Sequence, residues 1–387
     1  MTGVTGETGV RGVTVVHGDV VALREVTLLA GPGELLAVLG ASGSGKSTLL
    51  RTVAGLLPVR SGEVVVNGRP ANGIPAGDRR VAMVFETSAL LPFLDVAGNL
   101  GWGLKVRHVE KSEVDRRVTG RAGQFRIGKL LRRKPDQLSE GERGLVGIGR
   151  AMVQTPQAFL LDEPLAHLDA AERIRVRRRI VEVVRSLGVS TLYVTHDPDE
   201  ALAVADRVAL LHEGSVVQVG PPADLYDRPA SVLAAVSVAP IGLVPARLVG
   251  TDLAGYEVGP RTLPLWGPAP AGLAGRALAL GFRPEDVRPA TGTAEEVTLD
   301  AVVTAVEYTG RHQAVVLAVG AAPVTAPGAA LAAPGGATLR ALYPPRDPVR
   351  AGDAVRVALD GRRAHVFDAG TGAALFHPVN RSTDGLA

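Results

Sequence analysis

The chain predicts an open α/β sheet followed by a small all-β domain, and three observations carry that prediction. First, continuous apolar runs stop abruptly on polar residues. Glu34–Leu39 runs into a glycine-rich turn, Ala158–Leu161 into Asp162-Glu163, and Ser190–Thr195 into His196-Asp197. Such runs read as strands buried on both faces, and the carboxyl ends of those strands are where open sheets bind ligands. Second, stretches of helical character separate them, at Lys46–Leu56, Lys111–Arg121, Glu140–Val153, Ala170–Leu187 and Pro198–Ala205. Third, proline, glycine and alanine become dense after about residue 240, and helical periodicity stops. Short runs at Arg276–Phe282, Val297–Tyr308, Ala314–Val319 and Ala354–Ala358 then read as barrel-like strands. The expected division is 1–240 and 241–387. At the amino end, Val13–Val16 and Val20–Leu23 read as short strands around a His17-Gly18-Asp19 turn.

Composition narrows the function. A length of 387 residues holds two to three domains. The 46% hydrophobic and 21% charged fractions exclude a disordered chain or a coiled coil. The absence of cysteine excludes a disulfide framework, thiolate metal sites and cysteine nucleophiles. A net charge of +3 is nearly balanced, so a pI near 9.4 does not point to nucleic acid. The charge-free stretch from His312 to Leu339 is interrupted by Pro323, Pro327 and Pro334, and the first twelve residues lack the apolar core of a secretory signal. The expectation is a soluble chain inside the cell that reaches a membrane only through a partner.

The chemistry starts at Gly40-Ala-Ser-Gly-Ser-Gly-Lys-Ser47, a full match to the phosphate-loop pattern, between a buried strand and a helix. Glycines let the backbone wrap a phosphate with its N–H groups inward, at the positive end of a helix. Lys46 brings a point charge to the β and γ phosphates, and the Ser47 hydroxyl serves Mg²⁺. The ATP-contacting set expected here is Gly40, Ala41, Ser42, Gly43, Ser44, Gly45, Lys46, Ser47 and Thr48. Asp162 at its strand end is placed to hold the Mg²⁺, its neighbour Glu163 to activate water, and His196 to position that water against the γ-phosphate.

In this order and spacing the residues resemble the ATP-binding subunits of ABC transporters, over nearly the whole chain. Leu138-Ser139-Glu140-Gly141-Glu142 stands where that family carries LSGGQ, Ala166-His167-Leu168-Asp169 matches its D-loop, and Tyr193–Asp197 its switch-histidine strand. The sugar-importer branch, of the maltose and glycerol-phosphate type, is the tighter match. It rests on Arg133–Ser139, Leu225–Pro229, Gly281–Glu285 and Ala364–Gly372. The resemblance implies a P-loop ATPase domain with a helical subdomain near 87–157 and an oligonucleotide-binding-type regulatory β domain. It implies a head-to-tail dimer, with itself or with a related ATP-binding subunit, in which Ser139, Gly141 and Asp169 of one copy close on nucleotide held by the other. It further implies two transmembrane permease subunits docking near Leu90–Gly103, a solute-binding protein reached only indirectly, no nucleic-acid partner, and a peripheral place on the cytoplasmic face of the membrane.

Several positions depart from the family pattern. Glu86 stands at the Q-loop glutamine that touches Mg²⁺ or the water, which adds a second carboxylate to the metal set of Ser47 and Asp162. Glu140 replaces a signature glycine and Glu142 the glutamine, placing negative charge where a phosphate must approach. His17 stands where the family offers an aromatic ring to adenine. The reading is therefore an ATP-hydrolysing, energy-coupling subunit of an importer for sugars or related solutes. The alternative is an ATP-binding subunit of weak hydrolysis, acting as a regulator or as the impaired partner of a heterodimer. The arginines from Arg173 to Arg179 read as a solvated helix face.

Overall fold

The computed structural model describes residues 6–86, 90–166, 168–249, 255–258, 261–264, 272–273, 275–292, 297–320, 327–328 and 337–377. The chain divides into two compact units, Met1–Pro222 and Ala223–Ala387.

The first unit opens on a long hairpin, β1 (Thr8–His17) and β2 (Val20–Ala30), joined by a two-residue turn in which Gly18 takes a positive φ of 58°. Both strands run well past the short stretches expected, because Val10, Val26, Leu28 and Ala30 are also buried. The strands β3 (Leu35–Leu39), β4 (Ser61–Val66), β5 (Arg69–Pro70), β6 (Val81–Val84), β7 (Ala158–Asp162), β8 (Ser190–Thr195), β9 (Arg207–His212) and β10 (Ser215–Gly220) complete the strand set. The helices are α1 (Lys46–Ala54), α2 (Val96–Val106), α3 (Lys111–Gln124), α4 (Glu140–Met152), α5 (Ala170–Leu187) and α6 (Pro198–Val204).

Two sheets result. One is antiparallel in the order β2-β1-β4-β5, and the other runs β10-β9-β3-β8-β7-β6, parallel throughout except for β10 against β9. Every residue of β3, β7 and β8 is buried, as continuous apolar runs require. Successive side chains on a strand point to opposite faces, and the cores divide accordingly. Leu36, Leu160, Leu192 and Val194 pack with the hairpin and with Leu49, Leu50 and Val53 of α1. Leu35, Phe159, Leu161 and Tyr193 pack with α2, α4 and α5 through Leu100, Val146 and Ile180.

Helix α1 ends at Ala54, two residues short of expectation, because Gly55 turns left-handed at φ 82° and its N–H donates back to Arg51 and Thr52. Helix α2 carries no helical signature strong enough to find from sequence, since three glycines interrupt its apolar pattern. Among the described residues no helix is long and apolar enough to cross a membrane.

Among the described residues the second unit is built on an antiparallel sheet of eleven strands: β11 (Gly242–Val249), β12 (Gly255–Val258), β13 (Arg261–Pro264), β14 (Ala277–Phe282), β15 (Val287–Pro289), β16 (Val297–Tyr308), β17 (Gln313–Val319), β18 (Thr338–Tyr343), β19 (Ala354–Leu359), β20 (His365–Asp368) and β21 (Ala374–Phe376). Residues 223–240, expected in the first domain, belong to this unit. Their helix Val232–Val238 packs Val232 and Ala235 against Ile241, Leu243, Ala279 and Phe367. The fully buried Arg283 donates to the carbonyls of Tyr226, Ala235, Ala239 and Pro240, which ties the segment to the sheet.

Candidate functional site

Five of the six helices α1–α6 begin on a side chain that accepts a backbone N–H of the first turn: Asp95, Glu110, Ser139, Asp169 and Asp197. Helix α1 begins on Gly45, has no side-chain cap and has no acidic residue in its first turn. Its first N–H groups are left for an external anion, at the end of the helix where the peptide dipoles favour one. Gly43 (φ 82°) and Gly45 (φ 105°) sit in the left-handed region, which bends the loop around that point. The loop borders a cleft of about 480 Å³ lined by Val20, Arg24, Lys46, Ser47, Thr48 and Glu213, among others.

Lys46 is buried at 5% exposure, and its Nζ donates to the carbonyls of Gly40 (2.8 Å) and Ala41 (2.9 Å). Burial lowers its pKa, against the raising effect of Glu163 and Asp162. Ser44 keeps a buried hydroxyl without a hydrogen-bond partner. Ser47 Oγ donates to Asp162 Oδ1 at 3.0 Å. Burial pushes the Asp162 carboxyl up, opposed by the Ser47 bond and by Arg51, while Glu163 and Glu86 push it further up. Glu86 thus adds its negative charge to the field around Asp162. A hydroxyl and two carboxylates are the hard oxygen donors that suit Mg²⁺, so Ser47, Asp162 and Glu86 fit that ion.

Parallel pairing of β7 with β8 brings the ends of two strands together. Glu163 follows β7 at a positive φ of 45°, an unusual backbone for a side chain of its kind, pinned by its N–H to the Val194 carbonyl at 3.0 Å. Its Oε2 meets His196 Nδ1 at 2.6 Å and its Oε1 lies 4.0 Å from Lys46 Nζ. Glu163 thus stands between the loop lysine and the strand-end histidine, which itself is exposed. Thr195 Oγ1 donates to buried Glu200 and accepts the Asp197 N–H, so the backbone on either side of His196 is clamped. Glu200 also holds the Tyr193 hydroxyl, and nothing in the sequence pattern marks it for this role.

The remaining expected contacts form a second cluster. Ser139 caps α4, with its Oγ accepting the Glu142 N–H (3.2 Å) and Glu142 Oε2 accepting the Ser139 N–H (3.0 Å), a reciprocal capping box. Asp169 caps α5 through the Glu172 N–H at 2.8 Å. Neither these residues nor His17, which is exposed at the hairpin tip, line the nucleotide-sized cleft; Val20 of the same hairpin does. Glu140 pairs with Arg143 on the surface. His167 of the D-loop match and residues 87–89 lie outside the described residues.

A family model described as ABC transporter matches residues 23–166, and one described as TOBE domain matches residues 280–327. The sn-glycerol-3-phosphate import ATP-binding protein UgpC of Cereibacter sphaeroides is 39% identical over 366 residues, covering 94% of this chain and 96% of that protein. This chain belongs to the ATP-binding subunits of ABC importers. Also similar are the trehalose/maltose import ATP-binding protein MalK of Thermococcus litoralis, 38% identical over 95% of this chain and the whole of that protein, and the xylose/arabinose import ATP-binding protein XacK of Haloferax volcanii, 38% identical over 95% and 94%. Among solved structures, cbiO1 of Clostridium perfringens, described as part of the ABC transporter complex cbiONQ, matches 58% of this chain and 91% of its own at a TM-score of 0.54 and 26% identity. The chain is thus an ATPase subunit that couples nucleotide to import, built as a P-loop domain with a C-terminal TOBE-type β domain.

Proposed function

We propose that two such ATPase domains, from this chain or a close relative, clamp Mg-ATP between the Lys46 loop of one and the Ser139–Gly141 segment of the other to drive import of sugars or related solutes. The observation that carries this reading is the uncapped start of α1 beside Lys46, Asp162 and the Glu163–His196 pair.

In the reaction, the first-turn N–H groups of α1 and the Lys46 ammonium hold the β and γ phosphates, the lysine exchanging its loop carbonyls for phosphate oxygens. Ser47 and Asp162, with Glu86, hold Mg²⁺, which neutralises charge on the phosphate oxygens when bound. Glu163 takes a proton from the attacking water as its oxygen bonds to the γ-phosphorus; the bond to the bridging oxygen breaks and ADP leaves. His196, bonded to Glu163, keeps that carboxylate aimed.

The permease subunits are assigned to a groove of about 300 Å³ of mixed polar and apolar lining that includes Phe85, Leu91 and Trp102, with Arg150 and Gln154 at its wall. Trp102 packs edge-on to the exposed Phe93 at 6.4 Å, an aromatic pair of the kind that anchors interfaces. Docking there puts the chain on the cytoplasmic face of the membrane.

Phosphate release from purified protein tests the chemistry. Glu163→Gln is expected to keep Mg-ATP affinity and lose at least about a hundredfold in turnover, the scale of a positioned base. Unchanged turnover would refute the assignment. Transport of labelled sugars by cells carrying or lacking the gene tests the cargo.

A further inference from the structure

We propose that Glu172 is a built-in stopper on the Ser139 end of α4, occupying the anion seat that must be cleared before a partner's nucleotide is gripped. This rests on the two-copy reading above. Ser139 Oγ donates to Glu172 Oε1 at 3.4 Å while its lone pair accepts the Glu142 N–H, so both bonding roles of the hydroxyl are in use. The carboxylate also presses on the open side of Gly141. A methyl group there would stand 3.0 Å from its carbon and from both of its oxygens.

The capping box satisfies the N–H groups of Ser139 and Glu142, whereas those of Glu140 and Gly141 head the same helix with no side-chain acceptor from that box. A carboxylate at this end is favoured by the helix dipole, as a phosphate would be. The two anions cannot share one seat. Asp169 sets the position, since capping α5 with the Glu172 N–H fixes where that side chain leaves the backbone. An exit is also present. Arg175, more exposed and one turn on, already reaches Glu172 Oε1 at 3.3 Å and can keep the carboxylate once it swings away.

Closure is therefore coupled to displacement of Glu172, which raises the ATP concentration that drives it. Like charges brought together at an interface cost enough to shift such an equilibrium by about tenfold or more.

The test uses the full chain carrying Glu163→Gln, so that closed dimers accumulate, with ATP-dependent dimerisation in Mg-ATP followed by sedimentation. Adding Glu172→Gln or Glu172→Ala should lower the ATP midpoint about tenfold, with nucleotide binding to the monomer and melting temperature reporting that each variant is folded. Midpoints within twofold of the parent in both variants overturn the stopper and leave the two-copy reading standing. If all three proteins bind nucleotide yet none dimerises, pairing of this chain with itself falls and the stopper with it, while pairing with a related subunit is the form of the two-copy reading that stands.

Discussion

Three glycines of the phosphate loop separate two physical costs of adding a methyl group. Gly43 has a positive φ of 82°, but a Cβ there meets nothing within 4 Å. Its substitution by alanine therefore carries only left-handed strain, about 1–2 kcal/mol. At Gly40 no positive φ is involved, yet a Cβ would lie 2.3 Å from the Leu211 carbonyl oxygen and 2.5 Å from Ser44 Oγ. The backbone atom cannot swing aside, so the cost is overpacking, about 2–3 kcal/mol. Gly45 combines both, with φ at 105° and a Cβ 2.7 Å from the Ala22 carbonyl oxygen, and should lose about 3–5 kcal/mol.

For a unit of this size each kcal/mol moves the midpoint by about 2–4 °C. Calorimetry of the first unit's transition in the whole chain should show Gly43→Ala down by about 3 °C and Gly45→Ala by about 10 °C or more, with Gly40→Ala between. Nucleotide titration should follow the same order. If Gly43→Ala melts as low as Gly45→Ala, or Gly40→Ala melts like the parent, this account of the loop is wrong.

Two further outcomes are expected. Burial pushes the Asp286 carboxyl up to about 6, against 3.8 ordinarily, although Arg363 opposes the rise and Glu285 and Asp360 add to it. Its contribution is then fully present below 3.8 and lost as pH rises through about 6. At about 1.4 kcal/mol per tenfold in proton affinity the loss has a ceiling of about 3 kcal/mol. Asp286→Asn should flatten that slope in melts of the second unit between pH 4 and about pH 7, and an unchanged slope would rule Asp286 out as its source. At α4, Glu142→Ala should cost about 1 kcal/mol and speed amide exchange in the first turn, while Glu142→Gln, which also completes a capping box, should be nearly neutral. Equal losses in the two variants would exclude the box.

Local rules were enough to find the phosphate loop, because strand, glycine turn, lysine and helix are contiguous in the chain. The same holds for β3, β7 and β8, whose burial on both faces leaves an unbroken apolar run. Helix α2 and strands β6, β9, β10 and β18 lacked so clear a local pattern, and the segment 223–240 changed units because buried Arg283, far along the chain, collects its carbonyls.

The sequence by itself determined the kind of chemistry, since Lys46, Ser47, Asp162, Glu163 and His196 are the residue types that phosphate transfer needs and they sit at turn and strand ends. Only the tertiary structure decided how they meet. Glu163 reaches His196 because β7 and β8 pair in parallel register, and Glu142 serves as a cap rather than a free charge. Glu172 lands on Ser139 across thirty-three positions because α5 starts beside α4. Contacts of that range depend on how elements pack, and nothing in a window of neighbouring residues records it.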